Sequence, residues 1–212
     1  MSIGARSALT IIDMQNCMDS SADLPRNNPF AEENIAALLS AWRTDGAPIV
    51  HVRHLSRTPT SVFRPGQVGA DFQPRFTPAA NEHVVEKNVP DAFIHSGLER
   101  WLRVRDINGL VIVGVSTNNS VEATARSAGN LRFSAVVVAD ATFTFDKADF
   151  NGVLRSAEDV HAMSLANLDG EYATVMRTSD ALKVLQQGHQ PGVEPLSAAN
   201  LRTQCELAHG RS

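Results

Sequence analysis

The chain has 212 residues, 43% of them hydrophobic and 20% charged, which is ordinary globular composition with room for one good-sized core. A formal net charge of −4 leaves no basic excess to neutralise phosphates, which argues against a general affinity for nucleic acid or an anionic membrane. Two cysteines, Cys17 and Cys205, are too few for a disulfide framework and have no metal-ligand spacing.

No apolar run approaches the roughly 20 residues that cross a bilayer, and the first residues show no charged-then-apolar leader. A cytoplasmic protein is the expectation.

In chain order, residues 8–13 (ALTIID) read as a buried strand. Residues 31–44 follow as a helix, with Ile35, Leu38, Leu39 and Trp42 at helical spacing and Asp45-Gly46 as its stop. Residues 48–54 (PIVHVRH) form a second strand. Residues 55–80 are rich in Pro, Gly, Arg and Phe and have no sustained period, and an ordered loop of that length is commonly functional. Phe63, Phe72 and Phe76 within it would either wall a pocket or anchor the loop. A third strand covers 82–87 and a helix 95–105. The clearest strand is 109–115 (GLVIVGV), followed by a helix over 119–131 and a fifth strand over 134–140. A helix within 152–168 carries Val160, Met163, Leu165 and Leu168. A sixth strand at 172–176 and a helix at 179–187 complete the pattern. Residues 1–187 read as one domain and 188–212 as a polar tail.

Strand–helix alternation with unbroken apolar strands implies an α/β fold, a parallel sheet with helices on both faces. Ligands in such sheets sit at the carboxyl ends of the strands. Asp13, His54, Lys87, the turn 116–120 and Asp140 all fall at or just after a strand's carboxyl end, so one rule gathers them on one rim.

Asp13, ending an apolar strand, suits a general base or acid, or else it is a turn or cap aspartate. Lys87 would hold that carboxylate ionised and oriented if the two share the rim; alone, it reads as a solvated lysine. In GVSTNNSVEATARSAGN a strand gives way to small polar residues and Ser120 opens a helix. Backbone N–H groups there would stabilise an oxyanion, although Ser, Thr and Asn are also ordinary helix caps. His51 suits packing and His54 a substrate contact. His161, on a helix, reads as structural.

Three motifs now combine: LTIIDMQN, VVEKNVPDAF, and IVGVSTNNSVEATARSAGN followed by VVVADATFTFD. Together, in this order and spacing from about residue 8 to 178, they resemble the isochorismatase-like cysteine hydrolases, which include nicotinamidases and N-carbamoylsarcosine amidase. The resemblance implies a three-layer architecture with six parallel strands, oligomeric assembly, a small-molecule substrate and an Asp–Lys–Cys triad. It maps Asp13 to the general base and Lys87 to its cationic partner. It also implies a cis Val115–Ser116 bond, with the N–H groups of Ser116 and Ser120 forming the oxyanion hole. Gln15, His54, Phe72 and Asn119 are the expected substrate contacts. The family's zinc-dependent nicotinamidases carry an Asp-x-His motif after the second strand. HVRHLSRTPTS lacks it, so neither metal nor other cofactor is expected.

The chain departs from the family's pattern at one place, where Ser120 stands in the position of the nucleophilic cysteine. Either a cysteine has been exchanged deliberately, or a natural serine attacks under Asp13, or the chain resembles the isochorismatase branch, which works without an acyl-enzyme. Three functions stay open: a hydrolase of a small amide, imide or carbamoyl compound; a vinyl-ether hydrolase without a covalent intermediate; and a non-catalytic member that keeps the fold. Cys17, four residues after Asp13, is a further candidate thiol.

Overall fold

The computed structural model of the chain describes residues 7–19 and 24–187; the expected tail at 188–212, with Cys205, lies outside them. The elements run β1 (Ser7–Ile12), α1 (Asn16–Asp19), α2 (Ala31–Asp45), β2 (Ile49–His54), β3 (His83–Lys87), α3 (Leu98–Val104), β4 (Gly109–Val115), α4 (Glu122–Asn130), β5 (Ser134–Phe143), β6 (Lys147–Ala148), β7 (Leu154–Arg155), α5 (Ala157–Leu168), β8 (Thr174–Met176) and α6 (Thr178–Gln187). Six strands pair in parallel in the order β3-β2-β1-β4-β5-β8.

Alternation along each strand divides the core between the two faces of the sheet. Leu9, Ile11, Val111 and Val113 face α2 and α6, where they meet Ile35, Leu38, Leu39 and Trp42. Ala8, Ile12, Leu110 and Ile112 face the other way, toward Leu98, Leu102, Val121, Ala125 and Leu168. Burial on both faces is why the strands carry apolar residues without interruption. The apolar stripe expected on α2 is buried throughout, and its indole Nε1–H donates to the Ser7 carbonyl at 3.0 Å. The helix stops where Gly46 takes φ 67°, a left-handed conformation that glycine adopts without steric cost.

The strand order reverses between β1 and β4, so the crevice for a ligand opens at their carboxyl ends. Asp13 leaves β1 there, and the turn carrying Ser120 leaves β4 there. Gly114, with φ 115°, lets the two strands close: a Cβ on it would lie 2.1 Å from the Ile12 carbonyl oxygen.

Three expectations are corrected. The fifth strand runs on to Phe143, because the pairing of β4 with β5 shifts register between Ile112 and Gly114. Asp140 therefore lies inside the strand and not on the rim, and its Oδ1 accepts from Thr178 N and Oγ1 at 2.8 and 2.7 Å, holding the start of α6. On α5 the core-facing side is Ala157, His161, Ser164 and Leu168, and Met163 is 64% exposed. The long loop is ordered by two short 3-10 turns, Val68–Ala70 and Pro74–Phe76, and Phe76 is sunk into the α2-side core.

Candidate active site

Lys87 reaches from the edge strand β3 across β2 to the crevice. Two strand spacings are roughly 10 Å, a span that a lysine stem and a facing aspartate cover together. Its Nζ donates to Asp13 Oδ2 at 2.7 Å and to Ser120 Oγ at 3.2 Å. Asp13, Lys87 and Ser120 are 5%, 3% and 6% exposed. Such an ion pair is held in low dielectric, where an ammonium orients a carboxylate strongly. Asp13 takes φ 53°, and its amide bonds the Val52 carbonyl at 2.9 Å, which turns the side chain off the end of β1. Its second oxygen, Oδ1, is buried and has no hydrogen-bond partner. An acceptor kept bare in this way is available to a proton from a nucleophile, a water or a substrate.

The turn after β4 is not the simple helix start expected. The Val115–Ser116 peptide bond is cis, as the resemblance implies. Residues Thr117–Val121 form one π-helical turn, in which the Ser116 carbonyl accepts from Val121 N at 3.3 Å. α4 begins only at Glu122. Single π turns recur at functional sites because they displace one side chain from the helical path. Here Ser120 is the displaced residue facing Lys87.

The family model for the isochorismatase domain matches residues 7–180. The chain belongs to the isochorismatase family. YrdC of Bacillus subtilis, an isochorismatase family protein whose activity is uncharacterised, is 34% identical over 184 residues, 87% of this chain and 98% of that protein. Nicotinamidase 3 of Arabidopsis thaliana is 27% identical over 177 residues, 76% and 80% of the respective chains. A solved structure of an isochorismatase-family protein from Chromobacterium violaceum is 49% identical, covers 87% of this chain and 95% of that chain, and superposes with a TM-score of 0.84. The six-stranded parallel sheet with helices on both faces is thus the isochorismatase-like fold, and the chain is an isochorismatase-family hydrolase.

Within this isochorismatase-like frame the remaining expected residues separate. His54 lies in register with Lys87 at the end of β2. Its ring is half-buried with Phe63 edge-on at 5.4 Å. Burial first, and then the Lys87 charge, lowers its pKa, so it stands at the rim as a neutral imidazole. Asn119 is exposed, and Ser116 is half-buried at the start of the turn. Phe72 is on the wrong face: it packs on His51 and Arg53, which alternate with His54 along β2. It therefore anchors the loop and does not line the Lys87 side. Gln15 is fully buried and its amide is committed to backbone. Nε2 donates to the carbonyls of Ala70 and His54, and Oε1 accepts from the His54 amide. This ties the long loop to β2 and leaves both amide hydrogens spent, in place of the expected substrate contact.

His51 packs as expected and its Nε2 lies 2.8 Å from Glu82 Oε2, so it does not join His54 in a common site. Cys17 is buried, and burial, reinforced by the Asp13 charge, pushes its thiol up to about 11. A thiol of that kind is protonated at neutral pH and does not stand in for a nucleophilic thiolate. Two contributors escape sequence reasoning, Thr117 and Ser164. The Thr117 hydroxyl meets His161 Nδ1 at 2.8 Å, and Ser164 Oγ lies 3.0 Å from the Thr117 carbonyl and 2.6 Å from Glu122 Oε2. Residues this ordinary in composition give no signal until the fold sets α5 against the turn.

Proposed function

We propose that the chain hydrolyses a small amide, imide or carbamoyl compound, with Ser120 as the attacking group, Asp13 as the proton carrier and Lys87 as the cation that orients both. The observation that carries this reading is the double contact of the Lys87 ammonium, to Asp13 and to Ser120, within a buried crevice. The likeness to a relative named nicotinamidase supports the substrate class.

In this reaction Ser120 Oγ adds to the substrate carbonyl carbon and its proton passes to Asp13 Oδ1. The N–H groups of Ser116 and Ser120 receive the developing oxyanion. As the C–N bond breaks, Asp13 returns the proton to the leaving nitrogen. Water then attacks the ester on Ser120, again giving a proton to Asp13, and the acid leaves as Ser120 regains its hydrogen. A serine is a weaker nucleophile than a thiolate, so the proton transfer to Asp13 must accompany attack.

A second reading has its own observation. Among the described residues the Ser120 hydroxyl donates to no group, and Asp13 Oδ1 has no hydrogen-bond partner. This favours direct use of Asp13 on a vinyl ether: Asp13 takes a proton from solvent and gives it to the terminal carbon, water adds to the carbon bearing oxygen and returns a proton to Asp13, and the adduct collapses to a ketone and an alcohol.

Turnover of small amides and vinyl ethers by Ser120→Ala and Asp13→Asn separates the readings. The covalent reading expects both variants to be inactive. The second expects Ser120→Ala to retain activity and Asp13→Asn to lose it. Unchanged turnover in Asp13→Asn would reject both.

A further inference from the structure

The loop that follows β2 meets the end of β3 at Lys87, Asn88 and Val89 in turn. Leu55 N donates to the Lys87 carbonyl at 2.7 Å, and the His54 ring bonds the Val89 backbone. Between them, Asn88 holds Arg57. With its amide oxygen turned to the guanidinium, the orientation that satisfies both groups, Asn88 accepts from Arg57 Nη2 at 2.8 Å and from Nε at 3.1 Å. The stretch around Arg57 is also tied to itself: Ser56 N donates to the Phe63 carbonyl at 3.0 Å, and Thr58 N to Ser56 Oγ at 3.1 Å. Arg57 is thus an exposed side chain with a fixed guanidinium, and its anchor is the residue next to Lys87.

The charge of Arg57 has no answer: among the described residues it pairs with no carboxylate. Glu86, beside Lys87 on β3, is held by Arg53 at 3.1 Å, and Asp91 accepts from the Phe93 amide at 2.8 Å and from Ser127 Oγ. Residues 55–70 include Arg57 and Arg64 and no Asp or Glu. Arg64 turns back on its own loop, where Nη1 donates to the Pro59 carbonyl at 3.3 Å. Inside the crevice the charges of Asp13 and Lys87 offset each other, and His54 is neutral. The Asn88 oxygen, a neutral acceptor, orients the guanidinium and does not cancel its charge. It occupies the Nε–Nη2 edge and leaves the Nη1–Nη2 end, which a carboxylate grips with two parallel bonds.

We propose that Arg57 reads a carboxylate on the substrate, so that the preferred substrate is a small amide bearing an anionic group a few bonds from the carbonyl that is attacked. The proposal rests on the amide-hydrolase reading for the bond that is cleaved and adds the group that is recognised. A guanidinium already held in place loses little freedom when it binds, and the incoming anion meets no competing carboxylate on this side of the rim. Because Arg57 is exposed, the gain in affinity is about fivefold, the upper range for an exposed ion pair.

The test uses matched pairs in which a carboxylate faces an isosteric neutral amide: succinamate with succinamide, and glutaramate with glutaramide. Affinities are measured by calorimetric titration of the full chain carrying Ser120→Ala, which forms no ester, with and without Arg57→Met or Arg57→Lys. In at least one pair the anion should bind about fivefold more tightly than its neutral partner. Arg57→Met should abolish that difference and leave the neutral compound within about twofold, Arg57→Lys should keep part of it, and about 0.5 M NaCl should shrink it. Equal affinities in both pairs, no measurable binding of either anion, or a preference that survives Arg57→Met would overturn the proposal. Hydrolysis of the same compounds by the chain with Ser120, with and without Asp13→Asn, is read separately. Hydrolysis that depends on Asp13 and shows no anion preference leaves the amide reading standing and removes Arg57 from it. An Arg57-dependent preference in binding with no hydrolysis upholds the carboxylate contact and rejects the amide reading.

Discussion

The hydroxyl of Thr117 and Nδ1 of His161 meet at 2.8 Å, and this bond locks α5 onto the turn that presents Ser120. The direction of the bond follows from the neighbours. Asn28 Nδ2 spends its two hydrogens on the carbonyls of Ala139 and Thr142, at 2.8 and 2.7 Å, and has none left for Nε2 of the histidine. The ring donates instead to the Ala139 carbonyl, and Nδ1 accepts from Thr117. Burial lowers the pKa of His161, which keeps the ring neutral and able to accept.

Thr117→Val keeps the shape and removes the hydroxyl. It leaves a buried acceptor without a partner, a loss of about 1–3 kcal/mol. Urea unfolding should show that cost, and kcat should fall while KM changes little, because the turn loses its tether and the crevice keeps its walls. Thr117→Ser should restore both. Unaltered stability in Thr117→Val would mean that the bond contributes nothing.

The Asp13–Lys87 pair makes a prediction that separates coupling from simple loss. Lys87→Met leaves a carboxylate buried without its cation and should cost about 3–5 kcal/mol in urea unfolding. The double variant Asp13→Asn/Lys87→Met should be less destabilised than the sum of the two single changes, since no charge is then left unpaired. Additive losses would show that the two side chains are not coupled.

Acid should unfold the protein through Glu82. Desolvation works to raise its pKa, but the hydrogen bonds from Arg43, the Ala79 amide and His51 together outweigh it and bring the carboxyl down to about 2. A carboxylate whose pKa is lowered by folding stabilises the fold above its ordinary value near 4.5, and that contribution is lost as pH falls to about 2. The shift corresponds to about 3 kcal/mol. His51, held neutral by burial with Nδ1 bare, acts in the same direction from near pH 6.5 downward. Unfolding free energy measured from pH 7 to pH 2 should therefore decline in two stages. Glu82→Gln should be less stable at pH 7 and lose most of the lower stage, and an identical acid profile in Glu82→Gln would count against this role.

Gly114→Ala should fail at the strand junction itself. The added methyl would meet the Ile12 carbonyl at 2.1 Å, with φ at 115°. A loss of about 3 kcal/mol or more is expected, seen as insoluble expression or a Tm lowered by many degrees. Near-normal thermal unfolding would indicate that β1 and β4 can part without harm.

Much of this was legible in the sequence, for reasons that differ by residue. Asp13 and Lys87 were placed by a single rule, that polar residues at the carboxyl ends of parallel strands share a rim, and the rule succeeds because the strands before them are apolar without interruption. Asp140 obeyed the same pattern and failed, because a register shift in β5 is invisible in a run such as SAVVVADATF. Met163 and Val160 had core spacing on α5, yet the core took the side with Ala157, His161 and Ser164, whose small or polar side chains let the helix sit close to the Ser120 turn. Gln15 sits in a family motif, and a motif carries no sign that its amide is spent on the backbone of Ala70 and His54. The hairpin β6–β7 is two short pairs with no apolar period of its own, so nothing in its residues announced it.

The central claim is that Asp13 serves as the proton carrier for whatever stands at position 120. It is tested most directly by kcat/KM on a panel of small amides for Ser120→Cys, with Asp13 intact and with Asp13→Asn added. The thiol should raise the rate at least tenfold over the unsubstituted chain, and the added Asp13→Asn should reduce it by about 100-fold or more. Equal rates for Ser120→Cys with and without Asp13→Asn would contradict the account.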